Sequence, residues 1–150
     1  MKNKDIAEIF NNIATLLEIK NDNIFKIKAY RKAAENIEAL GEDVADIKTE
    51  NRLSEIPGIG EALREKIIEY IDTGKVSAYE KLKKEIPEGL LDLVNIPSVG
   101  PKKAKLFYDH LGTKSMSDLQ KAAQGGQYGL DRILRCRIQE EAVFRLRLLR

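Results

Sequence analysis

The stretch "EIPGIGEALREKI", residues 55–67, returns forty residues later as "NIPSVGPKKAKLF", residues 95–107. No other feature of the chain restricts its fold as tightly. Leu53, Ile56, Pro57, Ile59 and Gly60 recur as Leu93, Ile96, Pro97, Val99 and Gly100. Each copy reads as a helix, a short hairpin and a second helix, with the apolar residues of the turn filling the gap between the helices. Glycine admits backbone angles and close approaches that a side chain would forbid. A bare backbone at a helix start offers unsatisfied N–H groups and the positive end of the helix dipole, which suits a phosphate. One Gly-x-Gly is also an ordinary helix boundary. Two copies in matching apolar frames point instead to a nucleic-acid strand held through its phosphates, without regard to base sequence.

The two hairpins are not equivalent. After Gly60 the helix opens with Glu61, which favours its own dipole but repels an incoming phosphate. After Gly100 it opens with Pro101, Lys102 and Lys103, followed by Lys105. Proline is pre-set for a first helical turn, and the lysines add charge beside the backbone donors. The second hairpin is therefore expected to be the stronger phosphate site, although Ser98 stands where the first copy has Gly58.

Helical periodicity runs through most of the rest. "NKDIAEIFNNIATLLEI" places Ile6, Ile9, Phe10, Ile13, Leu16 and Leu17 on one face, with Asn3 as its expected cap. "NIFKIKAYRKAAENIEAL" buries Ile27, Tyr30, Ala34 and Ile37 and is expected to stop at Gly41. After the first hairpin a helix ends near Thr73-Gly74-Lys75, and another covers "SAYEKLKKEI". "PEGLLDLV" leads into the second hairpin, whose following helix ends at Gly112. Ser115 and Asp118 form a capping box, and a last helix is expected over "LDRILRCRIQEEAVFRLRLL". No alternating apolar run argues for a strand, so the fold expected is all-α.

Composition matters mainly for what it excludes. With 43% hydrophobic and 33% charged residues, and no apolar run of bilayer length, the chain reads as soluble, with no membrane partner. "MKNKDIAEIF" lacks a secretory apolar core, so a cytoplasmic location is expected. One cysteine, Cys136, and one histidine, His110, leave no transition-metal cluster. A net charge of +2 is a weak pointer to nucleic acid, but charge identity shifts along the chain. All 17 lysines lie at or before Lys121, whereas six of the nine arginines lie at or after Arg132.

The repeated turn resembles the helix-hairpin-helix motif. "FKIKAYRKAAENI" followed by "LSEIPGIGEALREKIIEYIDTGK" is similar to the amino-terminal region of family X DNA polymerases, the group that includes DNA polymerase beta. The resemblance covers roughly residues 1–125 and rests on "AYRKAA", "IPGIG", "TGK" and "IPSVG" in the family's order. It implies two small helical subdomains, each with one helix-hairpin-helix: a lyase-like part, residues 1–78 with its hairpin at 53–74, and a fingers-like part, residues 79–125 with its hairpin at 93–112. The implied partner is gapped, nicked or junction DNA, bound by a monomer. The resemblance also implies a monovalent cation, Na+ or K+, on the backbone carbonyls of Ser54, Ile56 and Ile59 in the first hairpin and of Val94, Ile96 and Val99 in the second. Magnesium belongs to the family's later palm domain, whose paired aspartates are not expected in this chain.

In some members of the family the first domain is a 5′-deoxyribose-phosphate lyase, whose lysine forms a Schiff base with the opened sugar. That lysine matches Lys66 here. Phosphate-pocket residues match Lys26 and Tyr30, and the position that stacks on a template base matches Phe25. Arg31 and Glu65 fall on supporting positions. Pocket lysines of the family fall on Ser54, Ala62 and Ala78 in this chain, which removes positive charge that would activate Lys66. Lys66 thus reads either as a weak lyase residue or as a surface lysine.

Residues 126–150 depart from the family, whose prokaryotic members continue into a third hairpin. This arginine-rich tail reads as a truncated or frame-shifted end, or as a divergent basic helix. Three functions follow from the whole: a DNA-binding amino-terminal part of a family X repair polymerase, a lyase in its own right, or a protein-docking module.

Overall fold

The computed structural model describes residues 2–87, 89–95 and 100–111. The expectations for Ile96, Ser98 and Val99, for the Ser115 capping box and for the tail at 126–150 lie outside them. Seven α-helices are formed among the described residues: α1 Asn3–Ile19, α2 Ile24–Glu38, α3 Val44–Thr49, α4 Glu61–Thr73, α5 Ser77–Glu85, α6 Gly89–Val94 and α7 Pro101–Leu111. A 3-10 turn, Leu53–Glu55, precedes α4. No strand occurs among these residues, and the all-α expectation is borne out. None of these helices is long and apolar enough to cross a membrane.

The chain divides into two compact units, Met1–Glu85 and Ile86–Arg150. In the first, α1 and α2 pack along most of their lengths. Ile6, Phe10, Ile13, Leu16 and Leu17 of α1 are buried, as the periodicity requires, and Ile9 sits half-exposed at the edge of the stripe. From α2 come Ile27, Tyr30, Ala33, Ala34 and Ile37. Phe10 and Tyr30 meet edge to face, with ring centroids 5.5 Å apart and planes at 84°, the geometry the aromatic quadrupole favours. α5 packs on α1, and Tyr79 Oη accepts from Asn12 Nδ2 at 3.3 Å. In the second unit α6 and α7 pack through Leu90, Leu93, Ala104 and Phe107, all buried.

Three local features differ from the sequence expectation. Asn3 does not cap α1. It is the first helical residue, 3% exposed, and its amide bridges to the start of α3: Nδ2 donates to Glu42 O and Oδ1 accepts from Val44 N, both at 2.8 Å. A buried amide is retained because both its donor and its acceptor are satisfied. α2 does not run to Gly41 but ends at Glu38, with Ala39 as its right-handed C-cap. Between α2 and the first hairpin the chain forms α3, absent from the sequence reading, capped by Asp43 Oδ1 accepting from Ala45 N at 2.9 Å. The end of α4 is as expected: Gly74 takes the left-handed conformation at φ +75°.

Candidate nucleic-acid interface

The first hairpin is assembled by burying one set of side chains and exposing the backbone between them. Leu53, Ile56, Ile59, Leu63 and Ile67 are each 8% exposed or less, whereas Pro57, Gly58 and Gly60 are exposed. Gly58 has φ +73°, and a Cβ there would lie 2.8 Å from Asn36 Nδ2. It is the position at which the hairpin needs glycine, for both conformation and space. Gly60 differs. Its φ of −78° and ψ of 176° suit any residue, and nothing lies within 4 Å of a Cβ built there.

Gly60 is the N-cap of α4 and supplies no side-chain hydrogen bond. The first backbone bond of the helix runs from Arg64 N to Gly60 O, 3.0 Å. The N–H groups of Glu61, Ala62 and Leu63 therefore have no acceptor among the described residues, at the positive end of a 13-residue helix. The carbonyls of Ser54, Ile56 and Ile59 likewise accept no hydrogen bond there. With Ile56 and Ile59 anchored by their side chains, three hard oxygen donors are left on one turn. That donor chemistry fits a monovalent cation.

The second hairpin is described only at its ends. Val94 closes α6, and Gly100, exposed, precedes α7, where Ala104 N donates to Gly100 O at 3.0 Å. Lys102 and Lys103 are exposed on the first turn of α7, and Lys105 is half-buried.

The remaining site residues lie on α2 and α4. Phe25 is 77% exposed and Ile24 beside it 58%, an apolar pair held out from the start of α2 by the Asn23 side chain, which accepts from Phe25 N at 2.9 Å. Lys26 is exposed next to them. Tyr30 is placed differently: it is 5% exposed, part of the α1–α2 core, and burial holds its phenol above the ordinary range. Arg31 is committed to Glu18, with Nη2 to Oε1 at 2.5 Å. Lys66 is half-buried on α4 and donates from Nζ to Ala62 O at 3.3 Å. It shares that helix with an acidic neighbour. Glu69, whose carboxylate is held below its ordinary range first by hydrogen bonds from Ser77 and also by the Lys66 charge, lies one turn further on.

Two residues at the hairpin escaped the sequence reading. Asn36 on α2 donates from Nδ2 to Pro57 O at 2.6 Å, and the Lys32 Cγ lies 3.6 Å from the Cβ position of Gly58. Their signal was present only as spacing: 32 and 36 share a face of α2 one turn apart. A depression of about 230 Å³ that reaches Ile56 and Pro57 is lined by Glu42, Glu55 and Arg52 together with apolar residues. Arg52 is already paired with Glu42, Glu50 and Glu55, so that surface has the wrong charge for a phosphate. No group of three or more His, Cys, Asp or Glu among the described residues is placed to hold a metal ion.

A helix-hairpin-helix domain model matches residues 1–76. The chain belongs to the helix-hairpin-helix domain family. This helix-hairpin-helix chain is also 40% identical over 124 residues to the DNA polymerase/3′-5′ exonuclease PolX of Bacillus subtilis (strain 168), a match covering 83% of the chain and 21% of the relative. It is 28% identical over 119 residues to the DNA polymerase lambda of Arabidopsis thaliana, covering 79% of the chain and 22% of that protein. The resemblance to the amino-terminal region of family X DNA polymerases is thus borne out. The chain spans about a fifth of the length of these curated relatives.

Proposed function

We propose that this helix-hairpin-helix chain binds DNA through its phosphates, without base specificity, and that gapped or nicked duplex is its preferred form. DNA binding is supported by the family and by the two polymerases it resembles. The observation that carries the reading is the α4 start: three N–H groups without acceptors among the described residues, a helix start with no side-chain cap and a turn whose apolar side chains are buried. A phosphate oxygen satisfies such donors directly. Lys102 and Lys103 extend the same chemistry at α7 with formal charge, and Phe25 offers an aromatic face on which an unpaired base stacks. A monovalent cation held by the Ser54, Ile56 and Ile59 carbonyls supplies positive charge beside the phosphate. The corresponding donors of the second hairpin are Val94, Ile96 and Val99.

Binding, rather than lyase chemistry, is the reading we favour for Lys66. Its Nζ is engaged with Ala62 O, the Glu69 carboxylate shares its helix, and Ser54 and Ala62 stand where the family's pocket lysines would be. The test is a titration of gapped, nicked and intact duplexes at several salt concentrations. The expected order of affinity is gapped and nicked above intact. K102E/K103E should weaken all three alike and flatten the salt slope by about one for each phosphate no longer neutralised. Equal affinity for the three forms would remove the gap preference, and absence of binding at low salt would favour a protein-docking role. Borohydride added to an incised abasic duplex in the same series reads out Lys66. A covalent adduct that falls at least about tenfold in K66A would make the chain a lyase as well.

A further inference from the structure

We propose that Asn36 is the positioning residue of the first phosphate site, setting the direction in which the hairpin presents the Gly58 N–H. The proposal rests on the DNA-binding reading above. Asn36 lies on α2, outside the hairpin, and donates from Nδ2 to Pro57 O at 2.6 Å. The described residues contain no cis peptide bond, and in a trans peptide the N–H points opposite to the carbonyl of the same unit. A Pro57 carbonyl drawn toward α2 therefore turns the Gly58 N–H away from α2. Gly58 is exposed, and its N–H donates to no acceptor among the described residues. One side-chain hydrogen bond thus fixes the orientation of a donor it never touches.

Glycine at 58 is part of the same device. The Asn36 amide occupies the space that a side chain at 58 would take, 2.8 Å from the Cβ position, and Gly58 takes a left-handed φ of +73°. Without the clamp, the Pro57–Gly58 peptide can rotate about its flanking bonds, and the donor is no longer pre-aimed.

The experiment measures binding of the full chain to a labelled gapped duplex by anisotropy, across a series of KCl concentrations. The variants are N36A, N36D, G58A and G58A/N36A, each assayed well below its own melting midpoint. Asn36→Asp has the same shape but no donor and sets a charged oxygen against the Pro57 carbonyl, so Asn36→Ala gives the charge-free reading. Both Asn36 variants should bind about five- to tenfold more weakly. Asn36→Ala should leave the salt slope unchanged, because the Gly58 N–H carries no formal charge and releases no counterion. A slope that falls in Asn36→Ala would show that a lysine contact, and not the Gly58 donor, was lost. Because Gly58→Ala already displaces the clamp, G58A/N36A should bind no worse than G58A. Independent losses that multiply in the double variant would overturn the coupling. If the wild type binds while N36A keeps its affinity, Asn36 has no positioning role although the DNA reading stands. If the wild type binds no DNA form, the DNA reading fails and the role of Asn36 falls with it.

Discussion

At the scale of single residues, the two glycines of "PGIG" look alike in sequence and behave differently in the fold. Gly58 takes a left-handed φ against a neighbouring amide, whereas Gly60 takes an extended conformation in open space. Gly58→Ala should therefore cost about 1–2 kcal/mol from conformation alone, and more from the approach to Asn36. Gly60→Ala should cost about 0.5 kcal/mol or less. Chemical denaturation of the two variants checks this, and equal losses would mean that the hairpin treats both positions alike. The need for glycine was legible in the sequence; which glycine was needed was not, because it depends on a side chain some twenty residues upstream. Asn3 shows the same limit. An asparagine before an apolar run reads as a cap, yet here a partner forty residues away claims both ends of its amide. Tyr30 marks a tension between two readings of one residue, since the helical period buries it and the family resemblance assigns it to a pocket. Its place against Phe10 satisfies the first.

At the scale of elements, the long helices were legible because their apolar periods run for four turns or more, and α3 was not because six residues carry too short a period to register. α3 depends instead on its cap. Asp43 is held below its ordinary carboxylate range, first by the Ala45 N–H and further by the Lys2 N–H, against an opposing effect of desolvation. The sign follows. A carboxylate with a lowered folded-state pKa contributes stability that is present above its unfolded value, near 4, and is lost as pH falls through the folded value. Asp43→Asn keeps a capping oxygen but cannot titrate. The melting midpoints of the wild type and D43N, followed from pH 6 down to pH 2, should accordingly converge or cross below about pH 4. A gap that stays constant across that range would show that the carboxylate charge contributes nothing. The short contact between Lys48 and Asp72 ties α3 to the end of α4, but it is an exposed pair and its contribution is small.

At the scale of the whole molecule, the first unit carries its own core, from Ile6 on α1 to Leu82 on α5. Residues 1–87 expressed alone should unfold in one cooperative transition. They should also bind DNA with a shallower salt slope than the full chain, which adds Lys102 and Lys103. A broad, non-cooperative melt would show that the first unit needs the second. The architecture was legible in outline from the repeated turn, since a helix-hairpin-helix is written in local residues, and the site's backbone donors followed from it. What supports those donors was not legible, because it comes from α2, a helix outside the repeat. The uncapped start of α4 has a last consequence. A serine at 60 would close that helix with its own hydroxyl and would occupy the donors a phosphate uses. By leaving glycine there, the chain keeps its first turn of α4 incompletely bonded, so that a bound phosphate adds to the stability of the fold in proportion to its occupancy. On this reading DNA completes the secondary structure of its own receptor.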